Sequence, residues 1–282
     1  MNFAGGGHRP ESRRKNKRVK VMKDFSPYLQ YALNAAQKAG VILKKGYGNI
    51  RSIKNKEGGN KGIVTEIDEK SEEAIIQYLR ENSNYPIFTE EAGTIKGKGN
   101  MCWIIDPLDG TTNFARGIPL FAISIALLKS DQVQLGVVYN PIINECFYAE
   151  LGKGAYLNSE PIKISDKNDL QGSVIFANHG YGKHDKELFV EVIKKLSPFS
   201  SIRKFGTTAL ELCYVAKGSA EAFLSAGDEL WDYAAGVILI QEAGGRVTDW
   251  NGKDWNNSNS YILASNGSNH EELLKALTGM QS

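Results

Sequence analysis

Residues 103–114 read Trp-Ile-Ile-Asp-Pro-Leu-Asp-Gly-Thr-Thr-Asn-Phe, an apolar strand-like run that ends at two carboxylates three positions apart. Asp106 and Asp109 offer the hard oxygen ligands that Mg²⁺ prefers, and Pro107 and Gly110 bend the backbone so that both carboxylates can face one point. The turn also predicts a short helix whose free NH groups and positive dipole end favour phosphate oxygens. The same residues suit an ordinary turn in which an aspartate caps a helix. Taken alone, this segment is compatible with both interpretations.

Three other segments place acidic residues at the ends of apolar runs. Glu90 and Glu91 follow a short extended run, and Asp68 precedes a helix predicted over residues 69–82. Asp232 lies at the start of an apolar helical run, where it could cap the helix or bind a ligand. Because α/β folds gather their ligands at strand termini, the four segments together favour one shared site.

The chain carries three motifs in the order Glu90-Glu91, Asp106-Pro107-Leu108-Asp109-Gly110-Thr111-Thr112-Asn113-Phe114 and Trp231-Asp232-Tyr233-Ala234-Ala235-Gly236. This combination resembles the inositol monophosphatase family of Mg²⁺-dependent, lithium-sensitive phosphatases. The resemblance extends from Asp24 to the C-terminus. It implies an α/β fold, a layered αβαβα sandwich of the inositol monophosphatase and fructose-1,6-bisphosphatase type, with the active site between its halves. It also implies a homodimer.

The resemblance assigns one metal ion to Glu90, Asp106 and the main-chain carbonyl of Leu108. A second ion would bind Asp106, Asp109 and Asp232, so that Asp106 bridges the two ions, as suits two-metal phosphoryl chemistry. A weaker Mg²⁺ site near the first glutamate is also implied. The cofactor is therefore Mg²⁺, with two to three ions per site.

The same resemblance assigns activation of the attacking water to Glu90 and Thr111, with Asp68 accepting a hydrogen bond from the Thr111 hydroxyl. A threonine hydroxyl cannot act as a base at neutral pH, but it can orient a water whose pKa a cation has lowered. The phosphate would lie against the NH groups of Gly110 and Thr111, with Thr112 in the same binding turn. Positioning and electrostatic stabilisation dominate phosphoryl transfer, so no protein nucleophile is needed.

The substrate side departs from the best-known family members. Ser225 stands seven residues before the aspartate of the Trp-Asp motif, where inositol-selective relatives keep a glutamate that contacts ring hydroxyls. Asp228 could replace that carboxylate if its loop folds inward; otherwise Asp228 and Glu229 are solvated loop acids. Gly206 and Thr207 match another substrate-facing family segment, at the start of a predicted helix.

Further features of the sequence lie near the predicted site. Thr89 replaces a glycine that is usual before the two glutamates, and residues 50–62 are rich in Lys, Asn and Gly, which predicts a loop. This loop could be a mobile lid whose Lys54 or Lys56 approaches the phosphate, or a solvated hairpin tip. His179 follows an apolar run and could border the substrate at a strand end or lie in a surface loop.

The composition agrees with a soluble enzyme. The 282 residues are 41% hydrophobic, enough for a large core in one or two domains, and no apolar run approaches the length of a membrane helix. Three scattered cysteines without a Cys-x-x-Cys pair predict reduced thiols and a cytoplasmic location. The four histidines lack zinc-like spacing, which argues against a zinc enzyme.

Basic residues concentrate in an N-terminal tail. Residues 1–21 hold seven basic side chains against one acidic side chain and show no apolar periodicity, which predicts disorder. The tail lacks the apolar segment of a signal peptide. It could be an arm that makes weak contact with nucleic acid or a membrane surface, a transit-like segment, or sequence upstream of a functional start at Met22.

The pattern of apolar runs divides the rest of the chain into two halves. Residues 22–160 predict an α+β metal-binding half, with a helix that begins at Ser26-Pro27 and an antiparallel meander over residues 120–150. Residues 161–282 alternate strands and helices, which predicts an α/β half that contributes Asp232 and the substrate contacts.

The predicted function is Mg²⁺-dependent hydrolysis of a small polyol or sugar phosphate, and inositol 1-phosphate is the first candidate substrate. Similar motifs also serve fructose-1,6-bisphosphatase, histidinol phosphatase and 3'-phosphoadenosine 5'-phosphate phosphatase activities, which stay open. So does a function of another class. Some bacterial relatives bind transcription machinery, and a basic tail would suit an RNA-associated protein whose catalysis is incidental.

Overall fold

A computed structural model of the chain describes residues 24–50, 52–55 and 62–280. The described residues of the first half contain α1 (Pro27–Gly46), β1 (Ile53–Asn55), β2 (Ile63–Thr65), α2 (Glu66–Asn82), β3 (Ile87–Thr89), β4 (Gly93–Ile95), β5 (Met101–Asp109), α3 (Thr111–Ala115), β6 (Ala122–Lys129), β7 (Gln132–Asn140), β8 (Glu145–Glu150), β9 (Ala155–Leu157) and β10 (Glu160–Pro161). Those of the second half contain β11 (Ser173–His179), α4 (Lys183–Leu196), β12 (Ser200–Arg203), α5 (Thr208–Ala216), β13 (Ala222–Ala226), α6 (Leu230–Glu242), β14 (Arg246–Thr248), β15 (Tyr261–Ser265) and α7 (His270–Leu277).

An eight-stranded sheet forms the first half, in the order β10-β9-β8-β7-β6-β5-β3-β4. All its pairs are antiparallel except β3 with β5, which confirms the predicted meander. Helices α1 and α2 pack against one face of this sheet. The predicted apolar stripe of α1 is fully buried there, because its residues recur at helical spacing and so share one side of the helix: Leu29, Ala32, Ala36, Ala39 and Leu43.

A five-stranded sheet forms the second half, in the order β12-β11-β13-β15-β14. Strands β12, β11 and β13 run parallel, as the predicted α/β pattern requires. Strands β14 and β15 pair antiparallel instead. The loop between β14 and β15 contains no helix, so the chain reverses there without the crossover that parallel strands need.

Helices α5 and α6 lie between the two sheets, while α4 and α7 cover the far face of the second sheet. The central core takes apolar side chains from both halves, including Phe147 of β8, Phe223 of β13 and Ile238 of α6. The layers therefore follow the order helix, sheet, helix, sheet, helix. This arrangement confirms the αβαβα sandwich. Within the described ranges, none of the helices combines the length and apolar character needed to cross a membrane.

Two segments near the site differ from expectation in detail. Helix α2 begins at Glu66 rather than at residue 69, because Thr65 and Asp68 form a capping box that starts the helix earlier. The predicted loop over residues 50–62 contains strand β1, which pairs with β2 to form the legs of a hairpin. Lys54 lies on its first leg and is 3.5 Å from Glu69. Lys56 and the hairpin tip lie outside the described residues, as does the basic tail.

Candidate active site

The end of β5 turns two carboxylates toward the centre of the molecule. The pairing of β5 with β6 shifts register between Asp106 and Asp109, so the strand bulges at Pro107-Leu108. Asp106 is buried, and its Oδ1 accepts a hydrogen bond from the Leu108 NH at 2.9 Å. Gly110 follows with φ +89°, and a Cβ there would come within 3.0 Å of a neighbouring carbonyl oxygen. The sharp turn after Asp109 therefore requires glycine.

The second half of the molecule holds Asp109 in place. Its Oδ2 accepts hydrogen bonds from the Thr207 hydroxyl at 2.6 Å and from the Ala209 NH at 2.7 Å. Both donors lie at the start of α5, where Thr207 is the N-cap residue. One oxygen of Asp109 is thus committed to α5, which fixes the direction of the other.

Asp232 reaches the same region from the first turn of α6. Its Oδ2 accepts a hydrogen bond from the Glu229 NH at 2.8 Å, as part of a capping arrangement. The two roles considered for this residue are therefore compatible, because capping uses one carboxylate oxygen. Asp232 is near enough to Asp106, Asp109 and Glu90 for their charges to interact.

Glu90 lies on the neighbouring segment after β3. Its NH donates to the Ile105 carbonyl at 3.3 Å, which places it beside β5. The Glu90 and Asp106 carboxyl groups are in direct contact. Two carboxylates can share such a contact only with a proton or a cation between them.

Burial and mutual repulsion raise the pKa values of the acidic group. Burial, followed by the charges of Glu90 and Asp109, raises the pKa of Asp106 well above its ordinary value. Burial raises the pKa of Asp109 to about 7, although the hydrogen bonds from α5 lower it. Burial, then the charges of Asp228 and Glu90, raise the pKa of Asp232 well above its ordinary value. Deprotonated carboxylates here need a compensating positive charge.

The donor set fits Mg²⁺ in its chemistry. All four acids supply hard carboxylate oxygens, and Asp106, Asp109 and Asp232 each commit one oxygen to a backbone NH. Within the described ranges, no three acidic, histidine or cysteine side chains already enclose a metal position. The structure thus places the acids next to one another, but within the described residues their oxygens do not already surround a single metal position.

Asp68 and Thr111 meet as the resemblance implied. The Thr111 hydroxyl lies 2.9 Å from Asp68 Oδ1 and 3.0 Å from the Leu108 carbonyl oxygen, so either oxygen can accept its proton. Asp68 is fully buried, and its Oδ2 accepts from the NH and hydroxyl of Thr65. Burial raises the pKa of Asp68, and the hydrogen bonds from Thr65 lower it.

The turn proposed for phosphate is the start of α3. Gly110 is the N-cap residue, and Thr111 and Thr112 are the first helical residues. Their NH groups have no preceding turn of helix to pair with, so they can donate to an anion. The Thr112 side chain is exposed, whereas Thr111 is half-buried.

Asp228 folds inward rather than into solvent, which decides between the two alternatives for its loop. It is buried, and its Oδ2 accepts a hydrogen bond from the Thr208 hydroxyl at 2.7 Å. Gly227, at φ +86°, makes the turn that directs Asp228 inward, and its NH donates to the Ser260 carbonyl. The interpretation of Asp228 as a solvated loop acid is therefore wrong. Glu229 is exposed.

The other substrate-side residues differ in access. Ser225 is fully buried on β13; its hydroxyl is close enough to Asp228 to lower the pKa of that carboxyl, but it falls short of a regular hydrogen bond. Thr207 is also fully buried, with its hydroxyl on Asp109. Gly206 is exposed beside it. Gly206 is therefore the one exposed residue among those assigned to the substrate, whereas Ser225, Thr207 and Asp228 are buried and Thr207 supports an acid.

Helix α2 contributes contacts that sequence reasoning missed. Glu72 Oε1 accepts hydrogen bonds from the Thr89 hydroxyl at 2.6 Å and from the next turn, at the NH groups of Glu91 (3.1 Å) and Ala92 (3.2 Å). The Ser71 hydroxyl donates to the Pro107 carbonyl at 2.8 Å. The sequence signal that could have revealed these contacts is the presence of the polar residues Ser71 and Glu72 on the face of α2 that is buried.

Glu211 was missed as well. It is fully buried on α5, and its Oε1 accepts from the NH groups of Phe205 and Gly206, which fixes the turn before Thr207. Burial raises its pKa well above the ordinary value. A single acid inside an apolar predicted helix carried no comparable signal.

Other proteins are similar to this chain in sequence and in fold. The model of the inositol monophosphatase family matches residues 24–282. Nus factor SuhB of Pasteurella multocida is 39% identical over 233 residues, covering 81% of this chain and 87% of that protein. Inositol-1-monophosphatase of Mesorhizobium japonicum is 37% identical over 257 residues, covering 89% and 96%. The crystal structure of extragenic suppressor protein suhB from Bartonella henselae matches with a TM-score of 0.84 at 35% identity, covering 90% and 99%. With this sequence match and the αβαβα fold, the chain belongs to the inositol monophosphatase family.

Proposed function

We propose that this protein is a Mg²⁺-dependent phosphatase that hydrolyses a small phosphomonoester of a polyol or sugar, with inositol 1-phosphate as the first candidate. The observation that carries the proposal is the meeting of four acids from both halves beside the start of α3: Glu90, Asp106, Asp109 and Asp232. Buried carboxylates next to free backbone NH groups suit a divalent cation together with a phosphate ester. Family membership supports the same activity.

Two sets of ligands would hold Mg²⁺ in this proposal. Glu90, Asp106 and the Leu108 carbonyl form the first set, and Asp106, Asp109 and Asp232 form the second. Mg²⁺, when bound, supplies positive charge that activates water and offsets the charge of the transferring phosphoryl group. A third, weaker ion near Glu90 belongs to the same proposal.

The remaining residues position the reactants. Asp68 accepts a hydrogen bond from Thr111, so the Thr111 oxygen can turn a lone pair toward the attacking water, and Glu90 can take the proton of that water. The NH groups of Gly110, Thr111 and Thr112 would donate to phosphate oxygens. The dipole of a short helix adds a modest attraction for the anion.

The test is phosphate release from inositol, fructose, histidinol and adenosine phosphates, with and without Mg²⁺ and Li⁺. We expect Mg²⁺-dependent release from at least one ester. Asp106→Asn should lower kcat at least about a hundredfold, because it removes a charge that both metal positions share. Asp131→Asn, in the exposed turn between β6 and β7, is the matched control and should retain full activity. Release that Asp106→Asn leaves unchanged, or no release from any ester, contradicts the proposal.

A second function, association with transcription machinery or RNA, is favoured by the name of one relative, Nus factor SuhB. The basic residues that would contact RNA lie in the tail, outside the described residues. Retention on RNA should fall steeply with salt and should be lost when residues 1–21 are deleted. Retention that survives the deletion contradicts binding through the tail.

The proposal also includes a homodimer, lithium inhibition and a cytoplasmic location, which the family resemblance implies. Sedimentation velocity tests the first by reporting a mass near twice that of one chain. The Li⁺ arm of the phosphate assay tests the second, and cell fractionation tests the third.

A further inference from the structure

A cavity of about 210 Å³ lies in the outer layer of the second sheet, between α4, the loop that joins β14 to β15, and the residues after α7. Its apolar walls are Leu188 of α4, Trp250 of the loop and Met280, all of which are buried. Tyr261, at the start of β15, also lines it. The volume exceeds what a single water molecule needs and suits a small organic molecule.

The two aromatic rings of this cavity have fixed directions. Trp250 Nε1 donates a hydrogen bond to the Ile262 carbonyl at 3.1 Å, and the Tyr261 hydroxyl donates to Asp185 at 3.4 Å. The centres of the two rings are 5.5 Å apart, with an interplanar angle of 44°. Because hydrogen bonds hold both rings, these walls of the cavity are in place before a ligand arrives.

Asp249 brings the only charge to the lining of this cavity, among the residues that the structure describes. It is 9% exposed, and its Oδ1 accepts hydrogen bonds from the NH groups of Asn251 at 2.8 Å and Lys253 at 2.9 Å. Within the described ranges, Oδ2 accepts no hydrogen bond and the carboxylate forms no ion pair. A buried carboxylate with a free oxygen is stabilised by a cation that reaches it.

The lining favours a ligand with two unlike ends. A primary ammonium group supplies positive charge and N–H donors for Asp249, in a charge-assisted hydrogen bond. Leu188 and Met280 would contact a hydrocarbon body at the other end of the ligand. A hydrated metal ion would leave these apolar walls without a partner, and Asp249 would repel an anion.

The loop at the edge of the cavity also holds residues beside the candidate active site. The Ser260 carbonyl accepts a hydrogen bond from the Gly227 NH at 2.8 Å, in the turn that directs Asp228 inward. The Asn259 carbonyl accepts a hydrogen bond from the Tyr233 hydroxyl of α6. Asn259 and Ser260 both line the cavity, so a ligand there would contact the loop that makes these two hydrogen bonds.

We propose that this cavity is a second binding site, which takes a small organic ammonium ion that pairs with Asp249 and stabilises the loop that holds Gly227. The ligand class is a primary amine with a short apolar body. This inference goes beyond the proposed phosphatase function and does not depend on it, because neither the ligand nor its tests involve turnover of an ester.

Calorimetry in buffer that contains Mg²⁺ tests the ligand class with three probes of similar size: phenethylamine, 2-phenylethanol and phenylacetate. Phenethylamine should bind about tenfold or more tightly than the neutral 2-phenylethanol, because it adds a charge-assisted hydrogen bond to Asp249. Phenylacetate should not bind. Equal affinities for the amine and the alcohol, or no binding of the amine, overturn the site.

Three variants test whether Asp249 binds the amine. Asp249→Asn should weaken phenethylamine binding about tenfold or more, while asparagine keeps an oxygen for the NH groups of Asn251 and Lys253. Asp254→Asn removes an exposed carboxylate from the same loop, outside the cavity lining, and should leave the affinity unchanged. Asp106→Asn should also leave it unchanged, because the amine does not bind the acids of the candidate active site. An equal fall in Asp254→Asn, or a fall in Asp106→Asn, overturns the site.

Leu188→Phe tests the cavity from the side of α4 and leaves the carboxylate intact, so the test stands even if Asp249→Asn does not fold. The larger side chain fills part of the cavity and should weaken the binding of phenethylamine and 2-phenylethanol alike. Unchanged affinities for both probes in Leu188→Phe overturn the position of the site.

Hydrogen exchange in the unmodified protein tests the link between the cavity and the turn at Gly227. The Gly227 NH exchanges only when its hydrogen bond to the Ser260 carbonyl opens. At a phenethylamine concentration of about 100 times Kd, this exchange should slow about tenfold or more, because the ligand stabilises the closed loop. Exchange at Gly227 that bound phenethylamine leaves unchanged overturns the proposed effect on the loop.

Discussion

At the scale of single residues, the position of Asp109 depends on one hydroxyl. Thr207 donates to its Oδ2 at 2.6 Å inside a fully buried environment. Thr207→Val keeps the shape of the side chain but leaves the carboxylate with the Ala209 NH alone, so Asp109 should lose its fixed direction. We expect kcat to fall about tenfold and half-activation to need more Mg²⁺, which a Mg²⁺ titration of phosphate release measures.

The conservative change at Thr207 provides the control. Thr207→Ser keeps the hydroxyl and the N-cap of α5, so it should restore most of the activity and the normal Mg²⁺ requirement. If Thr207→Ser and Thr207→Val behave alike, the hydrogen bond to Asp109 has no part in metal binding, and loss of packing explains both variants.

At the scale of elements, helix α2 holds three segments of the candidate active site in position through hydrogen bonds. Asp68, Ser71 and Glu72 recur at i, i+3 and i+4, so they share one helix face. They contact the start of α3, the bulge of β5 and the turn after β3, respectively. Because one rigid helix carries all three contacts, the spacing of the acids depends on how α2 packs.

Glu72 carries the sharpest prediction at this scale. Its Oε1 accepts three hydrogen bonds from the turn that bears Glu90, including the Thr89 hydroxyl. Glu72→Ala should lower kcat/KM about tenfold or more, while Glu72→Gln, which retains a carbonyl acceptor, should lose less. Thr89→Val combined with Glu72→Ala should add little further loss, because the two residues act through one contact.

Steady-state kinetics and urea unfolding of the same variants test whether Glu72 positions the turn that bears Glu90. Glu73→Ala removes an exposed acid from the adjacent position of α2 and should change neither measurement. Fully additive losses in the double variant, or a loss in Glu72→Ala explained by global unfolding alone, would contradict a role in positioning Glu90.

At the scale of the whole molecule, the layered fold was predictable from the sequence. The positions of the residues assigned to the substrate were predictable only in part. Helical periodicity in α1 and continuous apolar runs in β6 and β7 reflect burial along each element, which a local pattern can show. The burial of Asp228 depends on the turn at Gly227 and on a partner at Ser260. Strand β14 has three residues, too few to show a period. Contacts between distant segments therefore account for most of what sequence reasoning missed.

The outer layer of the second sheet contains a buried histidine whose surroundings predict that stability depends on pH. His270 of α7 is fully buried between Thr248 of β14 and Ser265 of β15. The Thr248 hydroxyl donates to the Asp249 carbonyl, so it accepts from His270 Nε2, while Nδ1 accepts from Ser265. These contacts suit the neutral imidazole. Burial, followed by the charge of Arg246, lowers the pKa of His270 to about 4.

Protonation of His270 should therefore destabilise the folded protein in acid. Between about pH 6.5 and pH 4 the unfolded chain binds a proton that the folded chain does not, so the free energy of unfolding falls as pH falls, by about 3 kcal/mol in total. His270→Gln removes this contribution. Urea unfolding from pH 7 to pH 4 should show a smaller loss of stability for His270→Gln than for the unmodified protein, although the variant is less stable at pH 7. His184→Gln, on the exposed surface of α4, should keep the full slope. Identical slopes for all three proteins would mean that His270 takes up its proton at the same pH in the folded and the unfolded protein, and would contradict the prediction.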